Sequence, residues 1–283
     1  MIKVLKSGFY SSIQDAGRFG YRHFGVPVSG SMDAYASKFA NLIVGNTEDA
    51  SVLEITMTGP ELQFLKPTII AVSGADMQPS LNNSPIKLNI PIKIFANDVL
   101  SFGKLQNGIR AYISVKGGFK TAVVLDSTSM YKNITTINRI SVDNKLDYAD
   151  LVTPCFGYNS TVKYDNSLFS CSEIEAYKGP EFDKLTKANK DQLFNSEFKI
   201  SKLNNRMAYQ LEPLVSNLLA PILTSPVLPG TVQLTPSGRL IVLMRDCQTT
   251  GGYPRILQLT ERSINILSQK YTGMSLKINQ KMY

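Results

Sequence analysis

Residues 53–58, Leu53-Glu54-Ile55-Thr56-Met57-Thr58, alternate apolar and polar side chains. Successive side chains of a strand point to opposite faces, so this period of two reads as a half-buried strand, whereas a helix would repeat near 3.6. Glu54 falls at the polar phase and is expected to face solvent unless both faces of its sheet are covered. The same alternation returns at Ile174 and Ala176 between Glu173, Glu175 and Tyr177. Further strands are expected at Thr68 to Ser73, Pro91 to Ala96, Ala111 to Val115 and Leu240 to Arg245, each with Gly, Pro, Asn or Asp close by. The chain therefore reads as mainly β with a few helices.

The best-marked helix places Ala36, Phe39, Ala40, Ile43 and Val44 on one face, with Ser31 or Asp33 as N-cap and Gly45 as its stop. Weaker helical stretches run near Phe182 to Phe194 and near Thr260 to Tyr271, the second ended by Gly273 before a last strand through Leu276 and Ile278. Between Tyr131 and Asn166 the pattern degrades into Asn, Thr, Asp and Tyr. A boundary placed there gives an N-terminal β-rich domain over 1–150 and a C-terminal β-rich domain over 151–283, with exchange of strands between them allowed. A short echo, a strand followed by Gly117-Gly118-Phe119 and again by Gly251-Gly252-Tyr253, is compatible with two similar halves.

The 283 residues are 43% hydrophobic and 18% charged, a globular composition that excludes disordered or collagen-like chains. No apolar run approaches the roughly 18 residues of a membrane span, and no signal-peptide pattern opens the chain, so a cytoplasmic address and no membrane partner are expected. Three cysteines, Cys155, Cys171 and Cys247, form no Cys-x-x-Cys pair, and one histidine, His23, cannot supply a His-rich metal site. No metal is expected. The net charge of +8 is spread, with 14 basic and 9 acidic residues up to residue 141 and 16 and 13 after it. It carries no nucleic-acid motif and fits a small anionic substrate better than a nucleic acid.

Two segments concentrate unusual chemistry. Residues 13–33 hold four glycines, two arginines and two aspartates before the N-terminus of the marked helix, where free N–H groups favour an anion. The alternative is a structural loop whose Asp and Arg pair with each other. Residues 245–254, Arg245-Asp246-Cys247-Gln248-Thr249-Thr250-Gly251-Gly252-Tyr253-Pro254, follow an aliphatic strand directly. Asp246 could act as a base or orient an arginine, Gln248, Thr249 and Tyr253 could bind a polar substrate, and the Gly251 and Gly252 amides could hold an oxyanion. A hairpin whose Asp246 bonds backbone amides reads equally well. Cys247 reads as a packed residue, since nothing beside it in sequence lowers its pKa. Arg206, in Asn204-Asn205-Arg206-Met207, is a fork for a carboxylate or phosphate, or one half of an ion pair.

In order, the chain carries Gln-Asp-x-Gly-Arg-x-Gly from Gln14, Gly-Val-Pro-x-Ser-Gly-x-Met-Asp from Gly25, Ala-Asn-x-x-Val-Gly-Asn from Ala40, and Leu-Glu-x-Thr-x-x-Gly-Pro-x-Leu from Leu53. Asn-Arg-Met from Asn205 and Asp-x-Gln-Thr-Thr-Gly-Gly-Tyr-Pro from Asp246 follow. From about residue 2 to residue 280 it closely resembles the family of 5-oxoprolinase C subunits, which includes the KipI antagonist (KipA), allophanate hydrolase subunit 2 proteins and the carboxyltransferase domain of urea carboxylase. The resemblance implies two β-rich domains with cyclophilin-like β-barrels. It also implies a KipI-like B subunit and a third subunit as partners, and ATP-dependent opening of 5-oxoproline to glutamate by the assembly, with ATP shared among subunits. This chain is then an enzyme subunit that is inactive alone. The motif positions it carries over are Asp15, Arg18, Arg206 and Asp246 as catalytic candidates, and Gln14, Ser29, Asp33, Asn205, Gln248, Thr249, Gly251, Gly252 and Tyr253 as substrate-binding candidates.

Two alternatives remain open on the sequence. One is a biotin-dependent carboxyltransferase subunit of the urea or allophanate type, with biotin arriving on another protein because no Met-Lys-Met site is present. The other is a non-catalytic antagonist of a kinase inhibitor. The chain departs from the family's Leu-Gly-Ser-Arg-Ser at Leu125-Asp126-Ser127-Thr128-Ser129, from its Gly-Arg-x-Leu at Asn138-Arg139-Ile140-Ser141, and from its Gly-Tyr-Arg-Leu-Glu-Gly at Ala208-Tyr209-Gln210-Leu211-Glu212-Pro213. A phosphate or carboxylate role of the missing arginines therefore does not carry over. The segments 13–33 and 245–254 are expected to share one cleft.

Overall fold

The computed structural model describes residues 1–150 and 163–282, so Cys155 and the residues just after the 150/151 boundary lie outside the described residues. Contacts divide the chain into two units: Met1–Arg18 with Ser29–Asn166, and Phe19–Val28 with Ser167–Tyr283. The sequence pattern places the boundary at 150/151, whereas contacts divide at 166/167, where the aromatic ring of Tyr164 packs on Phe39 and Tyr35 of the first unit.

The first unit has two sheets. Seven strands run in the order Phe119–Lys120, Lys145–Tyr148, Ile2–Lys6, Glu61–Phe64, Val99–Phe102, Pro79–Leu81, Ser84–Pro85, and five in the order Tyr10–Gln14, Val52–Thr56, Asn107–Val115, Thr68–Asp76, Ile92–Ile94. Both sheets send alternate side chains into one core, Ile2, Val4, Leu62 and Phe64 from the first and Ile13, Leu53, Ile55, Val72 and Ile113 from the second. Each such side chain contributes about 1.5–3 kcal/mol. Truncating the fully buried Phe64 to Ala would cost about 3–5 kcal/mol.

Helix Ala34–Ile43 begins where Asp33, in an extended conformation, accepts a hydrogen bond from the Ala36 N–H at 3.0 Å. Asp33 is thus the cap of the two the sequence offers. The buried residues Ala36, Phe39 and Ala40 pack this helix on the strands Thr68–Asp76 and Asn107–Val115. The five-stranded sheet is therefore covered on both faces, and every residue of Val52–Thr56 is buried. Glu54 therefore falls under the exception and not the solvent-facing default: it is fully buried. The alternation stops at Thr56 because Met57 takes φ +64° and leaves the strand.

The second unit closes into a barrel of seven strands: Glu173–Lys178, Arg255–Leu259, Thr231–Leu234, Leu240–Leu243, Ala208–Glu212, Glu197–Asn204 and Ser275–Gln280. The last strand pairs in parallel with the first, Ile174 opposite Ile278. The stretch 182–194 divides into a short 3-10 turn, Phe182–Lys184, and a helix, Lys187–Asn195, because Leu185 is extended and Thr186 caps the helix. Helix Glu261–Ser268 starts under a Thr260 cap. Outside the barrel, Ser225–Pro226 and Thr250–Gly251 form a two-stranded ribbon. No helix among the described residues is long and apolar enough to cross a membrane.

Candidate functional site

In the first unit Asp15 sits at the end of strand Tyr10–Gln14 and gathers the loop that departs from the family pattern. Its Oδ1 accepts from the Ser129 hydroxyl at 2.6 Å, the Ser127 hydroxyl at 2.7 Å and the Gly17 N–H at 2.8 Å. Its Oδ2 accepts from the Thr128 N–H at 2.6 Å and the Thr128 hydroxyl at 3.0 Å. Burial alone would raise the pKa, but the hydrogen bonds from Ser129, Ser127, Thr128 and Gly17 outweigh it and hold the carboxyl below its ordinary 3.8. Leu125 and Asp126 both take positive φ, 53° and 57°, and Asp126 stands where the family has glycine. A short polar side chain tolerates that geometry better than a branched one.

Arg18 is fully buried and grips the same loop, its Nε donating to the Val124 carbonyl at 3.0 Å and Nη2 to the Ser129 carbonyl at 2.8 Å. Gln14, also fully buried, donates to the Ser12 hydroxyl at 2.9 Å and the Met130 carbonyl at 3.1 Å. Ser29 takes φ +59° before Gly30 at +89°, and a Cβ on Gly30 would stand 2.9 Å from the Ala16 carbonyl oxygen, so glycine is needed where the segment folds back on itself. The Ser29 hydroxyl is buried without a hydrogen-bond partner among the described residues.

Glu54 lies under this fold-back. It accepts from the Met32 N–H at 2.7 Å and the Tyr112 hydroxyl at 3.0 Å, with Arg110 Nε at 4.0 Å, and the Tyr112 hydroxyl accepts from the Asp33 N–H at 2.8 Å. Desolvation, then the charges of Glu54 and Asp33, push the Tyr112 hydroxyl well above its ordinary pKa, so it stays a donor. Sequence reading misses Glu54, Tyr112 and the Ser127 to Ser129 hydroxyls as site-building groups.

In the second unit Arg206 and Asp246 form a two-point pair, Nε to Oδ2 at 2.8 Å and Nη2 to Oδ1 at 3.0 Å. Asn205 turns its own chain, its Oδ1 accepting from the N–H groups of Met207 at 2.7 Å and Ala208 at 3.1 Å. Residues 246–253 run on from this pair into the ribbon. The Gly252 carbonyl accepts from the Ile222 N–H at 2.9 Å, and the Thr249 carbonyl from the Val227 N–H at 3.1 Å. Tyr253 is exposed.

Arg22, in the stretch 19–28 that belongs to this unit, donates through Nη2 to the Thr249 carbonyl at 3.1 Å and to the Val227 carbonyl. The middle of the first special segment therefore meets the second at this point. Gln248 Nε2 donates to Gln233 Oε1 at 3.5 Å, and Gln233 lies fully enclosed in strand Thr231–Leu234. A Cβ on Gly251 would stand 2.4 Å from Gln233 Nε2, so the glycine makes room for that amide. Burial pushes the Cys247 thiol up to about 11 in spite of Arg22 beside it, which leaves it a packed residue and not a nucleophile. Arg22 and Gln233 do not stand out in the sequence, although a glutamine inside the otherwise apolar Val232-Gln233-Leu234 is the available signal.

Among the described residues no three His, Cys, Asp or Glu side chains group to hold a metal ion. The carboxyltransferase domain, subdomain A and B, matches residues 24–280. The C subunit of 5-oxoprolinase from Escherichia coli strain K12 is 30% identical over 99% of this chain and 91% of its own length. The crystal structure of TTHA0988 superposes with a TM-score of 0.88 at 26% identity, covering 98% of this chain, which spans only 55% of that one. The Kluyveromyces lactis urea carboxylase superposes with a TM-score of 0.87 at 27% identity over 98% of this chain and 27% of that chain.

Proposed function

The chain belongs to the carboxyltransferase domain family, subdomains A and B, and from that premise we propose that it is the C subunit of an ATP-dependent 5-oxoprolinase, with the substrate-facing surface of its second unit on the Asp246 to Tyr253 loop. The observation that carries the reading is the end-to-end match with the E. coli protein, which leaves little of either chain unaccounted for. A lactam resists hydrolysis through amide resonance, so opening it requires activation of its oxygen and a site that holds the ring while stray water is excluded.

The loop suits that task. The Arg206–Asp246 pair anchors its start, Arg22 ties down its middle at the Thr249 carbonyl, and Gln248, Gly251, Gly252 and Tyr253 are left half-buried or exposed where a small polar ring could meet them. In the first unit, Gln14, Asp15, Arg18 and Asp33 shape the fold-back that encloses Ser29. ATP would supply the phosphoryl group that activates the lactam oxygen. The arginines the sequence offers for its phosphates do not fit that role, since Arg18 is directed at the Val124 and Ser129 carbonyls and Arg206 at Asp246. The reading therefore assigns the nucleotide to the partners, a KipI-like B subunit and a third subunit, and leaves ring binding to this chain.

Mixing the chain with those partners tests it. A co-eluting complex whose ATP hydrolysis rises with 5-oxoproline supports the reading, and separate elution at micromolar concentration sinks it. The likeness to urea carboxylase along nearly the whole chain supports a second reading, transfer of a carboxyl group carried on another protein's biotin. Decarboxylation of carboxybiotin by the same mixture, without lactam-dependent ATP turnover, would favour it.

A further inference from the structure

Three polar atoms on Arg22 and on two glutamines of the second unit are buried with no hydrogen-bond partner among the described residues: Arg22 Nη1, Gln233 Nε2 and Gln248 Oε1. They converge. Gln248 and Gln233 touch through their other amide atoms at 3.5 Å, Arg22 Nη2 reaches the carbonyl of Thr249 next to Gln248, and Gly251 lies against both Gln233 and Val227. Buried polar atoms are costly to leave unmatched, and Gln233, 1% exposed, is held there by its strand. Turning both side-chain amides over preserves the count: the pair still makes one mutual contact and still presents one donor and one acceptor.

We propose that Gln233, Gln248 and Arg22 read an N–H beside a C=O, the cis-amide edge of a lactam or of a cyclic ureido ring. The glutamine pair offers one donor for the ligand's carbonyl and one acceptor for its N–H, and Arg22 adds a charged donor that polarises the same carbonyl. A carboxylate or phosphate, with acceptors only, would leave the glutamine acceptor unmatched. Recognition by an acceptor is selective because a ring lacking the N–H leaves that acceptor buried without a partner. The inference rests on the loop's being the substrate-facing surface proposed above, and it adds the two residues outside the loop that choose the ligand.

Equilibrium binding to the full chain, read by ligand-observed NMR, tests this with 5-oxoproline, N-methyl-5-oxoproline and biotin methyl ester. Saturable binding of 5-oxoproline with at least about a tenfold loss on N-methylation identifies the lactam as the source. The same selectivity for the ureido ring of biotin methyl ester identifies the other. Gln233→Glu and Gln248→Glu should each weaken the preferred ring at least about tenfold while thermal melting stays cooperative. Equal binding of the methylated ring, or binding of neither ring, overturns the proposal even if a variant fails to fold. Lactam-dependent turnover by the reconstituted complex that is unchanged in both folded variants overturns the reader and leaves the 5-oxoprolinase reading standing. N–H-selective binding in an assembly without such turnover does the reverse.

Discussion

Arg206 and Asp246 hold each other through both forks of their side chains, at 2.8 and 3.0 Å, and the Asp246 N–H also donates to the Arg206 carbonyl at 2.9 Å. Both side chains are about nine-tenths enclosed, at 9% and 10% exposure. The turn Asn205-Arg206-Met207 and the start of the loop 246–253 are thereby one mechanical piece, joined also by the pairing of Ala208 with Leu243 on neighbouring strands of the barrel.

Removing one partner strands the other. Arg206→Ala and Asp246→Ala should each destabilise the chain by about 3–5 kcal/mol, whereas the double variant carrying both alanines should cost much less than the sum. Urea denaturation of the four proteins measures the cycle, and additive losses would show that the pair is not coupled. Any loss of turnover in the single variants should then follow the misplacement of Gln248 and Thr249.

Asp15 gives a pH signature. Its carboxyl is held below 3.8 in the folded chain, so its contribution to stability is fully present above the unfolded value and is lost as pH falls through the lower folded value. Asp15→Asn sets an amide N–H against hydroxyl donors and should cost about 1–3 kcal/mol near neutrality. The gap between variant and native chain should narrow below pH 3.8, as followed by denaturant midpoints across the acid range. A gap independent of pH would mean that the hydroxyls do not prefer the ionised form.

The buried group around Glu54 is tested by Tyr112→Phe. The lost hydroxyl donates to Glu54 and accepts from the Asp33 N–H, so its removal leaves two enclosed groups without that partner. A loss of roughly 2 kcal/mol or more is expected in chemical denaturation, against at most a few tenths for a surface tyrosine.

What the sequence makes legible follows from where the chain obeys local rules. The alternation around Leu53 and Ile55, the apolar face of Ala36 to Val44 and the cap at Asp33 are local, and strand Val52–Thr56 and helix Ala34–Ile43 lie where those patterns place them. Glu54 breaks the reading because its burial depends on a helix packed on the far side of the sheet, which the period of a single strand does not register. Ser127 to Ser129 look like mere departures from a pattern, yet they supply the donors of Asp15 from more than 100 residues away. Gln233 escapes notice because a lone polar residue in an apolar strand has no periodicity to announce it.

Cys247 should resist alkylation. With its thiol pushed to about 11, only about one molecule in a thousand carries the thiolate at pH 8, and the side chain is 1% exposed. Mass spectrometry after brief iodoacetamide treatment of the native chain should find Cys171 labelled well before Cys247. Cys247→Ala should keep lactam-dependent turnover in the reconstituted complex within a few-fold of the native value. Abolition of turnover would restore the thiol as a candidate nucleophile.

The two adjacent glycines of the loop should behave differently. A Cβ at 251 meets Gln233 Nε2 at 2.4 Å, whereas a Cβ at 252 meets only the Ile222 carbonyl oxygen at 3.4 Å, an ordinary contact. The amide of Gln233 is the far end of a flexible side chain, so Gly251→Ala can be accommodated by swinging it aside, at little cost to folding. The amide is then displaced by an ångström or more from the place where it meets the ligand. A misplacement of that size costs about 10²-fold in rate when the group orients the reacting ring. Gly251→Ala should therefore lose on the order of 10²-fold in lactam-dependent turnover with nearly unchanged melting, and Gly252→Ala should stay within a few-fold. Equal effects in the two variants would assign the glycines to the ribbon's backbone alone and remove Gln233 from the site.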